Sequence, residues 1–151
     1  MRKHDPPRPG SGATVLAVST PESTRKLDLD PDGLAVRREV LGASHVDASL
    51  ERADEITGEF QEMITRYAWG GIWTRPGLDR RMRSAITLTA LVAHGHLAEL
   101  ELHLRAALRN GLTREEIVEV LLQSAIYCGV PAANSAFGVA KRVLAEPDPT
   151  D

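Results

Sequence analysis

The chain has 151 residues, 42% of them hydrophobic and 26% charged, with a formal net charge of −3. That size and balance suit one soluble domain with a sizeable core. The acidic surplus argues against a general nucleic-acid binder, and no apolar run approaches the ~18 residues needed to cross a bilayer. The front of the chain is rich in Pro and Gly, with Pro6, Pro7, Pro9 and Pro21, and has no long apolar stretch of the kind a secretory signal needs. The single cysteine, Cys128, forms neither an intramolecular disulfide nor a CxxC pair, so the expected setting is the cytoplasm.

In chain order, residues 1–30 bury too little to offset their ordering entropy and are expected to be a flexible tail. A short helix is expected over Asp32 to Leu41, closed by Gly42. The next runs from Ser49 to Tyr67, where Ile56, Phe60, Met63, Ile64 and Tyr67 recur at helical spacing and predict a core-facing stripe. The Gly-Gly and Pro of WGGIWTRPGL break it. Another helix spans about Leu78 to His94, with Arg80, Arg81 and Arg83 in its first turns. A helix from about His96 ends at Asn110-Gly111, a left-handed C-cap. Thr113 with Glu116 forms a capping box and opens the next helix, apolar nearly all round and so predicted to be buried centrally or between subunits. Pro131 suits the first turn of the last helix, which ends near Ala145 before a tail over 147–151. No strand-period segment of useful length appears. The fold class is all-α, in one domain over residues 31–146.

The chemistry-bearing residues concentrate on the helix after Gly95. At ~100° per residue, His96, Glu99 and His103 fall within about 60° of one another, beside the apolar stripe of Leu97, Leu100, Leu104 and Ala107. Imidazoles titrating near neutrality beside a carboxylate suit general acid–base work. The competing readings are a hydrogen-bonded seam between helices and a metal site, the latter disfavoured because the His-Glu-x-x-His order is missing. Upstream, Trp73, Arg75, Arg81 and Arg83 set flat apolar surface beside guanidinium groups able to fork a carboxylate. Ser84 either donates to a ligand or bonds back to its own helix.

The segments YAWGGIWTRPGLDRRMRSAITLTALVAHG and HLAELELHLRAALRNGLTREEIVEVLLQSAIYCGVPAANSAF, with a helical lead-in from about Leu34, resemble the carboxymuconolactone decarboxylase family of the AhpD-like superfamily. The peroxidases of that superfamily carry Cys-x-x-Cys-x-x-x-His. Here His96 and Glu99 replace the cysteines, His103 is retained, and Ser84 replaces an upstream glutamate, so thiol peroxidase chemistry is not expected. The resemblance implies an AhpD-like bundle of about six helices, assembled as a homo-oligomer (trimer or hexamer). It also implies cofactor- and metal-independent decarboxylation of 4-carboxymuconolactone, a small anionic lactone, to the 3-oxoadipate enol-lactone in protocatechuate breakdown by the β-ketoadipate pathway. In that frame His103 or His96 is the acid or oxyanion donor and Glu99 orients it. Arg75, Arg81 or Arg83 holds carboxylate, Trp73 walls the ring, and Ser84 donates a hydrogen bond. The alternatives are a family member acting on another lactone or keto acid, and a non-enzymatic helical assembly module.

Overall fold

Asp30 starts the first helix: its carboxylate accepts from the Gly33 N–H at 2.7 Å, and Pro31 follows with its φ already helical. The computed structural model describes residues 26–147, so most of both expected tails lies outside the described residues. The part of the first tail that is described is tied down. The backbone N–H of Asp28 donates to Glu62 at 2.9 Å, and its carboxylate pairs with Arg66 at 3.3 Å.

From Asp30 the order is α1 (Pro31–Leu41), α2 (Ala43–Glu51), α3 (Gly58–Ile64), a π-helical segment (Thr65–Trp73), α4 (Arg80–His94), α5 (Leu97–Arg109), α6 (Arg114–Cys128) and α7 (Val130–Val143). All regular structure among the described residues is helical, as expected, but in seven α-helices and a π segment rather than about six helices. The extra elements come from the stretch read as one helix over Ser49 to Tyr67. Asp54 interrupts it, because its carboxylate accepts from the N–H groups of Ile56 and Thr57 and from the Thr57 hydroxyl. That local turn competes with helical pairing.

Past Ile64 the chain does not break at Gly70-Gly71 but winds on as a π-helix. The wider turn changes which residues face inward. Thr65 and Trp69 are buried and Trp73 half-buried, a spacing of four. The expected core stripe is instead on the outside, with Ile56 87% and Tyr67 68% exposed.

Two apolar clusters result. One joins α4, α5, α6 and α7 through Leu88, Val92, Leu100, Leu104, Ile117, Leu121 and Val139. The other joins α1, α2 and the π segment to α5 through Val40, Val46, Trp69, Ala106 and the partly buried Leu102 and Trp73. Helix α5 is common to both. Its position beside α4 is fixed by Gly95, which caps α4 in the left-handed region at φ +71° and turns the chain straight into α5.

The second cluster depends on an approach that only glycine permits. A Cβ on Gly33 would collide with the carbonyl oxygen of Thr65 and lie 2.8 Å from the Gly70 nitrogen. Gly33→Ala is therefore expected to destabilise the protein by about 2–4 kcal/mol, as overpacking against backbone does. Gly77→Ala, where an added Cβ meets nothing within 4 Å, is the control; urea melts of both variants check this.

Candidate functional site

Glu99 and His103 lie one turn apart on α5, between the face that enters the first cluster and the face that enters the second. Leu104 and Ala107 belong to the first, Leu102 and Ala106 to the second. His103 is held there and half-buried, and its Nδ1 is buried without a hydrogen-bond partner. Burial pushes its pKa down, Glu99 pulls it part of the way back up, and His45 on α2 lowers it. The imidazole is thus held neutral at neutral pH, with the nearby carboxylate available to stabilise it if it takes up a proton.

His96 does not join this pair. It is the N-cap of α5, with φ −82° and ψ 75°, so the helical angle that grouped it with Glu99 and His103 does not reach back to it. Its ring stacks on that of His94 at 5.8 Å between centroids, in the exposed turn between α4 and α5.

The upstream group divides as well. Arg81 is occupied: its guanidinium donates to the Gly111 carbonyl and to the carboxylate of Glu116 in the Thr113 capping box. Ser84 is 1% exposed and accepts from Asn110 Nδ2 at 2.8 Å, tying α4 to the end of α5. Both side chains are thus engaged within the chain. Arg83, by contrast, has no carboxylate partner among the described residues. It donates to the Arg75 carbonyl at 2.9 Å, and its Nε is buried and unpaired. It lines a cavity of about 170 Å³ with Ile72, Trp73, Leu78, Ile86 and Thr87. Arg75 stands at the rim with its side chain exposed.

Trp73 forms part of the Arg83 cavity wall, lies tilted by 30° against Trp69 with ring centroids 5.2 Å apart, and packs on the second cluster, as does Leu102 of α5. A larger groove of about 670 Å³ lies between α4 and α6, lined by Ala85, Ile86, Thr89, Ala90, Ala93, Glu119, Val120 and Gln123. None of the expected site residues lines it. It is mostly apolar, and Ile86 belongs to both this groove and the Arg83 cavity.

Two further residues, on α2 and α1, were not singled out from the sequence. His45 on α2 has its pKa lowered by partial burial, by Arg37 and by Arg52. Arg37 on α1 is only 4% exposed; it donates to Gln61 at 2.8 Å and Thr65 at 3.2 Å, and its Nε is unpaired. The signal was present: Gly33, Arg37 and Val40 follow the i, i+4, i+7 spacing of a buried face, and Arg37 is the charge on it. Among the described residues, no three His, Cys, Asp or Glu side chains gather as a metal site would require.

The model of the carboxymuconolactone decarboxylase family matches residues 58–142. The chain is 46% identical to a 4-carboxymuconolactone decarboxylase of Acinetobacter baylyi over 112 residues, 74% of this chain and 84% of that one. It is 42% identical to a nitrosuccinic acid decarboxylase of Metarhizium robertsii over 113 residues, 75% and 79% of the two chains. A 4-carboxymuconolactone decarboxylase of Pseudomonas putida is 60% identical over 38 residues, 25% of this chain and 79% of that one.

The depressed imidazoles make stability depend on pH. An unfolded-state histidine takes up its proton near pH 6.5, before the buried ones do, so the unfolded chain gains protons first as pH falls. Stability is expected to drop between pH 7.5 and 5.5, by at most about 1.4 kcal/mol per pH unit for His103, with solvent screening leaving the exposed His45 a smaller share. Urea melts across that window measure it, and His103→Gln should flatten the dependence.

Proposed function

This chain belongs to the carboxymuconolactone decarboxylase family, and we propose that it decarboxylates 4-carboxymuconolactone to the 3-oxoadipate enol-lactone, using His103 and Glu99 with Arg83 and Trp73. The observation that carries the assignment of residues is the presence of two unsatisfied buried groups, Arg83 Nε in the cavity that Trp73 walls and His103 Nδ1 on α5. Buried polar groups normally have partners, and those that lack them in the free protein are where a polar ligand gains most.

The substrate supplies its own electron sink. The bond from the ring carbon to the departing carboxylate breaks, carbon dioxide leaves, and the electron pair passes through the ring double bond to the lactone carbonyl, giving a furan-olate. A proton delivered to the ring carbon next to that carbonyl then completes the enol-lactone. His103 serves as the proton donor, and Glu99 favours the imidazolium that must form before each transfer. Arg83, with Arg75 at the rim, holds the acetate arm that the product keeps, and Trp73 lies against the ring. An arginine on the departing carboxylate would stabilise the ground state and slow its loss, so the cations belong at the other end. The nitrosuccinic acid relative points the same way, because a nitro group is also an electron sink within the substrate.

We further infer a homo-oligomer, trimeric or hexameric, built on the apolar groove between α4 and α6. Leu78 just before α4, Met82 and Ile86 on α4, and Leu122, Ile126 and Tyr127 on α6 are 44–79% exposed in the single chain, an apolar surface that marks an interface. A second copy seated there covers Ile86 and so borders the Arg83 cavity. No helix among the described residues is long and apolar enough to cross a membrane, and a cytoplasmic setting fits the lone thiol.

Loss of lactone ultraviolet absorbance together with carbon dioxide release tests the activity, with nitrosuccinate assayed in parallel. His103→Ala is expected to lower kcat/KM about 100- to 10,000-fold, the usual range for a general acid. Arg83→Met should act chiefly on KM, since it removes binding shared by ground and transition states. Wild-type kinetics in both variants would remove these assignments. Light scattering at micromolar concentration checks the assembly, and a monomer would count against the interface.

A further inference from the structure

The acetate arm that the product keeps ends in two oxygens, and one guanidinium held by a backbone carbonyl does not fix both. We propose that the cavity at the start of α4 is a carboxylate subsite with two donors, Arg83 and Thr87, and that the Thr87 hydroxyl is its specificity-determining group. This rests on the decarboxylase reading above and deepens it, by naming the group that tells a charged arm from a neutral one.

The cavity lies where the π segment gives way to α4. Ile72 and Trp73 end the one, Leu78 just precedes the other, and Arg83, Ile86 and Thr87 come from the first half of α4. Arg83 and Thr87 are four residues apart on that helix, so they stand one above the other on the same face. The connecting loop is tied to α4 at two points. The Asp79 carboxylate accepts from the Met82 N–H at 2.8 Å, and Arg83 donates to the Arg75 carbonyl at 2.9 Å. At about 170 Å³ the cavity is well below the roughly 300–1,000 Å³ of a pocket that encloses a whole small ligand. It suits one arm, with the ring left outside against Trp73.

The polar groups of this cavity are uncommitted. No acidic residue lines it among the described residues. Arg83 has only the neutral carbonyl as partner, and its Nε is buried and unpaired. Thr87 is the second such group. A Ser or Thr inside a helix commonly donates to the carbonyl four residues back. Thr74, Thr89, Ser124 and Ser135 all do so here, to Gly70, Ala85, Val120 and Pro131. Thr87 makes neither that bond nor any other side-chain hydrogen bond among the described residues. A carboxylate entering the cavity uses both groups: one oxygen accepts from the guanidinium and the other from the hydroxyl. Hydrogen bonds to an ionised acceptor are about twice as strong as neutral ones. Ile72, Leu78 and Ile86 offer no donor to either oxygen. A neutral arm leaves the guanidinium without a counter-charge, and a site built to hydrogen-bond one group rejects a ligand that lacks it.

The test pairs binding with kinetics. Two ligands without the departing carboxylate separate the subsite from the reaction: 5-oxo-2,5-dihydrofuran-2-acetate, which keeps the ring and the charged arm, and its methyl ester. By calorimetry the wild-type protein is expected to bind the acetate about tenfold more tightly than the ester. Thr87→Val should weaken the acetate by about tenfold, the loss of one hydrogen bond to a charged group, and leave the ester unchanged. Thr87→Ser, which keeps the hydroxyl, should bind both as the wild type does. In lactone turnover Thr87→Val should raise KM by about tenfold with kcat little changed, because the bond is present in ground and transition states alike. Circular dichroism melts establish that the variants fold, with Thr87→Ala as the substitute should the valine variant not do so. Acetate binding by Thr87→Val at wild-type strength, or equal loss of acetate and ester, overturns the proposal while leaving the decarboxylase reading intact. If the wild-type protein does not turn over the lactone, that reading fails first. The two ligands then decide the subsite alone: equal or absent binding of acetate and ester by the wild-type protein rejects it.

Discussion

The structure depends on one helix being packed from two sides. Most amphipathic helices bury a single stripe and leave the rest to water; α5 buries Leu100, Leu104 and Ala107 against α4, α6 and α7, and Ala106 with Leu102 against α1, α2 and the π segment. Full burial of a Leu side chain contributes about 1.5–3 kcal/mol, so both attachments are firm. Residues between the two faces lie at the edge of both clusters. His103 is half-buried there and Glu99, one turn earlier, is exposed, which explains how an imidazole comes to be partly desolvated without being sealed among apolar atoms. The same two-sided grip gives the imidazole a fixed backbone, which the proposed acid role requires.

The capping box at Thr113 and Glu116, the positive φ of Gly111, and Pro131 in the first turn of α7 are local chemistry, and local chemistry is legible from sequence. The helices after Gly77 were accordingly placed close to where they lie. The stretch from Leu50 to Trp73 was not. There a side-chain turn at Asp54 and a change of helical period decide the outcome, the second where α1 lies against the segment with Gly33 and Gly70 at the contact. A period of 3.6 assigns Phe60, Met63 and Tyr67 to the core; the π winding brings in Thr65 and Trp69 instead. Of the proposed site, His103 and Glu99 were legible as a pair because they share a helix, and Arg83 with Trp73 because an arginine near an indole in the sequence suits a carboxylate-bearing ring. His96 was misplaced by a single residue of helix boundary.

The arginines sort themselves once their partners are known. Arg38, Arg80, Arg81 and Arg105 face carboxylates and are spent on holding elements together. Such pairs are partly exposed, and each contributes little by itself. Arg37 and Arg83 make only neutral hydrogen bonds, each with a buried Nε left over. That is a poor use of charge for stability alone. Under the proposed decarboxylation it is a reasonable use, because that substrate would arrive with two carboxylates and keep one of them. Arg83, in the cavity walled by Trp73, would meet the charge that stays. A cation placed directly on the departing carboxylate would stabilise the ground state and oppose its loss, so on this reading the arginine without a carboxylate partner belongs with the retained arm.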